Sequence, residues 1–152
     1  MLLHDAALSY MHFVFALILA GALAAEAFVL RLPVDGRVAR LLLRIDLFYG
    51  VSAVGVILAG VARVFWGAKG ADFYASQPFF WAKMATFAVI GLISIAPTRA
   101  FIRWVKQAGQ DVAFAVAEPE VKRARRLVMI ELHLLALVPL FAALMARDIG
   151  GG

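Results

Sequence analysis

Four stretches of the chain are apolar almost without interruption, and charged residues gather between them. They run from about Tyr10 to Leu30, Asp46 to Trp66, Phe79 to Lys106, and Pro119 to Ala146, the last becoming apolar from Leu127. Each holds about 20 mainly apolar residues, which as a helix rising about 1.5 Å per residue crosses a hydrocarbon core of about 30 Å. Helix punctuation falls between the stretches. Pro33 and Gly36 close the first, and Gly67 and Gly70 break the second. Pro78 opens the third in a first-turn position, and Pro119 stands with two glutamates at the start of the fourth. The pattern predicts an all-α protein, a single integral membrane domain over residues 1–152 folded as a four-helix transmembrane bundle.

Composition strengthens this reading. Hydrophobic residues make up 64% of the chain and the mean hydropathy is +0.91, against roughly 45–50% apolar content in a soluble domain. So small a fold cannot bury that excess, so it faces lipid. The chain has no cysteine, which removes disulfides, thiolate metal sites and thiol catalysis. Its net charge of +5 does not point to nucleic acid, because the bases flank the apolar stretches. The connections after the first and third stretches, with the stretch ends, hold Arg31, Arg37, Arg40, Arg44, Arg99, Arg103, Lys106, Lys122, Arg123, Arg125 and Arg126. The other side holds Arg63, Lys69 and Arg147. The positive-inside rule then places both termini on the non-cytoplasmic side.

Ionisable groups inside spanning helices are costly and each needs a reason. Ranked by depth, they form two layers. The outer layer holds His12, Lys83 and Arg63; the inner one holds Glu26, Asp46, Glu131 and His133, with Arg44 and Arg103 nearby. The helical rise separates His12 from His133 by roughly 15–20 Å, too far to share one metal ion. His12 and Glu26 share a face of the first helix, as do Asp46, Tyr49 and Arg63 on the second and Lys83, Phe87 and Ser94 on the third. These faces are expected to converge inside the bundle, where Glu26 would pair with an arginine or a histidine of a polar cluster of Glu26, Asp46, Arg103 and His133. Plainer roles stand beside these. His12 fits a headgroup-level position, Lys83 can snorkel along Phe79 and Phe80, and Trp66, Trp81 and Trp104 suit interface belts. Met11 and Met84, beside His12 and Lys83, suit either packing or a soft metal such as copper.

The segments "YMHFVFA" and "FWAKMATF", with the basic first connection, resemble the HemJ-type protoporphyrinogen oxidases, small four-helix membrane proteins related to the CopD-like proteins. The pieces "RIDLFYGVSA", "KGADFY", "FFWAKM" and "GLISIAPTRAFIRW" resemble a family of small bacterial four-helix integral membrane proteins over nearly the whole chain. The HemJ resemblance implies haem b, with His12 and Lys83 as the essential pair at the iron and Lys83 as the candidate catalytic residue. Arg63 would meet a haem propionate, and Phe13, Phe15, Phe80 and Phe87 would line the porphyrin. Lysine ligates iron only as the neutral amine. Two departures bear on the substrate. Where the HemJ pattern has a second histidine this chain reads "LRLPVD", and its Thr-Pro-Gly turn is replaced by "DLFYGVSA".

Three functions follow as expectations. The first is a haem b redox protein of the bacterial cytoplasmic (inner) membrane, oxidising a porphyrinogen or passing electrons to quinone, and so a haem-dependent oxidoreductase. The second is a copper- or ion-handling CopD-like protein. The third is a structural or regulatory membrane module with no cofactor. The expected partners are the lipid bilayer and a porphyrin or quinone; self-association into a homo-oligomer stays open. No nucleophile–base pair, nucleotide loop or zinc motif is present, which disfavours hydrolytic chemistry.

Overall fold

The computed structural model describes residues 2–67, 70–111 and 113–147. Five helices follow one another: α1 (Leu2–Val29), α2 (Gly36–Trp66), α3 (Gly70–Ser76), α4 (Pro78–Ala108) and α5 (Glu118–Ala146). Four of them, all but α3, are long and apolar enough to cross a membrane. The fold is all-α, and these four helices form a bundle that fits a four-helix membrane domain.

α1 packs along α2 and α4 along α5, as two antiparallel hairpins. α2 against α4 and α1 against α5 close the ring, so α1 stands diagonally across from α4. Large apolar side chains cover the outside: Leu17, Leu47, Phe48, Leu58, Phe65 and Leu92 are all well exposed. In water this would be a liability; in a bilayer it is the lipid-facing surface.

Three boundaries depart from the sequence expectation. α1 begins at Leu2 and not near Tyr10. α2 begins at Gly36, ten residues before Asp46, and Gly36 opens this helix instead of closing the one before. The reason is local. The Asp35 carboxylate accepts hydrogen bonds from the backbone N–H groups of Arg37 at 2.9 Å and Val38 at 2.8 Å, an N-cap that starts the helix in water. The arginines that resemble a loop lie on the exposed face of its first turns, while Ala39 and Leu42 are fully buried on the other. The third difference is α3, where a connection was expected. Gly70, at φ +74°, supplies the left-handed backbone that precedes it, and Tyr74 anchors it by burial. Lys69 and the residues after Arg147 lie outside the described residues.

Pro97 and Pro139 both lie inside continuous helices. Each removes one backbone donor, a loss that membrane helices tolerate. At the arginine-rich end the two long connections touch: Asp35 and Ala115 form an antiparallel β-bridge, with the Val116 N–H donating to the Val34 carbonyl at 2.9 Å.

Burial is uneven along the bundle. At the arginine-rich end Leu23, Leu30, Leu42, Phe101, Trp104 and Val128 are 0–2% exposed and form one core. Trp104 belongs to that core and not to an interface belt; its indole N–H donates to Glu120 at 3.1 Å. Trp66 and Trp81 are exposed, as belt residues are.

Candidate functional site

The buried positions of each helix define its inner seam. On α1 they include Leu19, Leu23, Glu26 and Leu30; on α2, Ala39, Leu42, Asp46, Tyr49, Ser52 and Ala59. On α4 they are Ile90, Pro97, Phe101 and Trp104, and on α5 Val121, Ala124, Val128 and Glu131. Steps of three, four and seven residues keep one face turned inward. His12 is one heptad from Leu19, Lys83 one heptad from Ile90, and Arg63 one turn from Ala59. Those three bases and the three carboxylates therefore occupy seam positions.

At the arginine-rich half of the seam stand three carboxylates. Glu26 is 2% exposed, Glu131 1% and Asp46 8%. Asp46 and Glu131 lie within electrostatic range of Glu26. The Tyr49 hydroxyl donates to Glu131 Oε2 at 3.2 Å and the Thr98 hydroxyl to Asp46 Oδ1 at 2.8 Å. Oε1 of Glu26 and Oε1 of Glu131 are buried without a hydrogen-bond partner among the described residues.

The bases expected to neutralise this cluster are elsewhere. Arg103 reaches away from the bundle axis to pair with Glu120. His133 lies on the outer face of α5, where its Nδ1 meets the carbonyl of Met129, one turn back, at 2.6 Å. Arg44 is exposed. The cluster is thus Glu26, Asp46 and Glu131 with two hydroxyls, and Arg103 and His133 are outside it. Ranking by depth puts Glu26, Asp46 and Glu131 in one layer. It puts His133 there too, although that residue is two from Glu131 and so about 200° round the helix. The roles of Tyr49 and Thr98 become visible only once the helices are packed. A cleft of about 490 Å³ between α2 and α4 reaches this site, with Asp46 and Thr98 on its wall beside Arg40 and Arg44.

The opposite half of the seam carries bases. The His12 ring lies over Gly60, whose lack of a side chain leaves it room; a Cβ there would already touch the ring at 3.5 Å. His12 Nδ1 is 3.2 Å from the Val56 carbonyl oxygen. A carbonyl can only accept, so Nδ1 carries the hydrogen in this bond and Nε2 presents its lone pair. Lys83 is half-buried, with Nζ 5.4 Å from the centre of the Phe80 ring, a cation–π contact. Arg63 is half-buried too, and its Nε has no hydrogen-bond partner among the described residues. The three are within electrostatic range of one another, His12 and Lys83 coming from diagonally placed helices.

The expected aromatic lining assembles only in part. Phe13 is 63% exposed and points outward. Phe15 lies over Gly55, so close that a Cβ there would stand 2.5 Å from its ring. Phe80 packs on Tyr74 with ring centres 5.6 Å apart. Among the described residues no group of three or more His, Asp or Glu side chains is gathered as metal ligands.

No curated protein and no solved structure gives a significant match to this chain. A family described as "Predicted membrane protein (DUF2214)" matches residues 4–150. The long apolar helices, the lipid-type exterior and a match over nearly the whole length agree, and the chain belongs to the DUF2214 family of membrane proteins.

Proposed function

We propose that the protein binds haem b at the His12 end of the bundle and serves a redox role in the membrane. The observation that carries this reading is the fixed imidazole of His12. Histidines that hold metals in proteins commonly donate their second ring N–H to a carbonyl, which sets the tautomer and aims the free nitrogen. The Nδ1 contact with Val56 is that arrangement. Lys83, across the bundle, would be the second ligand or a base on the substrate side. Arg63, with its unpartnered Nε, would receive a propionate. The donor set of His12, Lys83 and Arg63 supports this reading, while Phe13 points away from it. Haem would supply one-electron chemistry between its ferric and ferrous states. The chain would hold it, keep water away with apolar helix faces and present lipid-soluble donors or acceptors, a porphyrinogen or a quinone, at the bundle surface.

The orientation belongs to the same proposal. The arginine-rich end faces the cytoplasm of a bacterial inner membrane and both termini face away from it, as the basic asymmetry implies. A reporter fused after Gly152 should then behave as periplasmic. Copper handling has less support, because Met11 and Met84 are 49% and 42% exposed beside, and not over, the His12 and Lys83 site.

The test is the visible spectrum of the protein purified in mild detergent from haem-replete cells. A Soret band with one haem per chain is expected. His12→Ala should lose the haem, and Lys83→Ala should keep part of it with a shifted spectrum. A colourless, haem-free preparation would refute the reading, as would an unchanged spectrum in His12→Ala.

A further inference from the structure

The haem reading leaves the three buried carboxylates unused. Glu26, Asp46 and Glu131 come from three different helices and meet on the inner seam. The groups facing them can be named helix by helix. Among the described residues α1 contributes Glu26, α2 contributes Asp46 and Tyr49, α4 contributes the Thr98 hydroxyl and Ser94 beside the Tyr49 hydroxyl, and α5 contributes Glu131. No base is among them. The nearest arginines, Arg40 and Arg44, are exposed on the cleft wall, and Arg103 is taken by Glu120.

Three ionised carboxylates in such surroundings would each forfeit their hydration and repel one another. A metal ion could offset that cost, but the carboxylates are not drawn together as a ligand set. The two hydroxyl donors are already spent on Asp46 and Glu131. What the site lacks is a hydrogen for the Oε1 atoms of Glu26 and Glu131, which are buried with no donor among the described residues. A protonated carboxyl brings its own donor.

We propose that Glu26, Asp46 and Glu131 form a proton-binding site inside the membrane. The cleft that reaches Asp46 and Thr98 also has the exposed Leu47 and Ile102 on its wall, so it opens on the lipid-facing side of α2 and α4. A hydrophobic reagent can therefore approach the site from the bilayer or a detergent micelle.

The experiment uses the full chain in detergent and a hydrophobic carbodiimide, which modifies protonated carboxyls in apolar surroundings, with the modified residue read by peptide mass spectrometry. Modification of Glu26 or Glu131 at neutral pH is expected, indifferent to sodium chloride. It should fall about tenfold per pH unit once past its midpoint, as a simple protonation does. The infrared C=O stretch of a protonated carboxyl should be present in the unmutated protein and weaker in Glu26→Gln, so the claim does not depend on one variant folding. Absence of both modification and the infrared band from mildly acidic to alkaline pH would overturn the proposal. Protection by sodium would overturn it in favour of a metal-cation site. Neither readout depends on haem, so this inference and the haem reading can fail separately.

Discussion

The two ends of the bundle solve opposite problems. At the arginine-rich end the helices are locked by large buried side chains, a β-bridge between the connections and a capped helix start. The charges inside are all acids. At the other end fewer side chains are buried, glycines let α1 and α2 approach, and the charges inside are bases. A tightly packed region can hold carboxylates apart from water and keep them there. A looser one leaves His12, Arg63 and Lys83 half-buried. Packing density and the sign of the buried charge thus change together along one axis.

The largest effect should come from attacking the packed end directly. Trp104→Ala removes a fully buried ring and should cost about 3–5 kcal/mol, while Trp66→Ala, at an exposed site, should stay within about 0.5 kcal/mol. Reversible unfolding in mixed detergent compares the two; equal losses would erase the contrast. Next is the seam between the halves. Gly55→Ala drives a Cβ into the Phe15 ring and should cost about 1–3 kcal/mol by overpacking. Combining it with Phe15→Ala should return much of that loss, and a double mutant no better than Gly55→Ala would show that the close approach is not the cause.

Tyr49→Phe removes the one hydroxyl that donates to Glu131 and should cost about 1–2 kcal/mol, since a buried acceptor loses its donor. Carbodiimide modification of Glu131 should rise in the same variant, which a purely structural role for Tyr49 does not predict. The smallest effect lies outside the membrane. The N–H of Val38 holds the Asp35 carboxyl below its ordinary value of 3.8; desolvation opposes this, and the N–H of Arg37 with the nearby guanidinium charges adds to the lowering. A depressed carboxylate stabilises the fold at any pH above its unfolded value, and that contribution disappears as pH falls through the folded value. Melting temperature should therefore drop at strongly acidic pH in the unmutated protein. Asp35→Asn keeps a cap and should flatten that part of the profile; an unchanged profile would assign the acid sensitivity to other groups.

Much of this arrangement is legible from the residues, for identifiable reasons. Long apolar stretches impose four helices, because only helices and closed barrels satisfy the backbone in lipid and stretches of about 20 apolar residues match a helix. Heptad spacing brings His12 and Glu26, Asp46 and Tyr49, and Lys83 and Ile90 onto inner seams. Charge obscures the rest. Arg37, Arg40 and Arg44 resemble a connection because they are polar, yet a helix entering from water carries such residues on its solvated face. The pairing of acid with base follows from depth alone and fails here, because depth says nothing of azimuth. Arg103 and His133 are at about the right height on the wrong side of their helices. Trp104 is misplaced for the same reason: an aromatic near the interface can point to lipid or to the core, and only packing decides.

The β-bridge between Asp35 and Ala115 also sets an order of assembly. During synthesis the α1–α2 hairpin can enter the bilayer while residue 115 has yet to be made. Its connection waits with the Val34 carbonyl unpaired until the segment before α5 arrives to donate the Val116 N–H. The same event delivers Glu131, the last of the three buried acids. A chain that stalls after α4 therefore lacks both the closing bond and the last acid of the site.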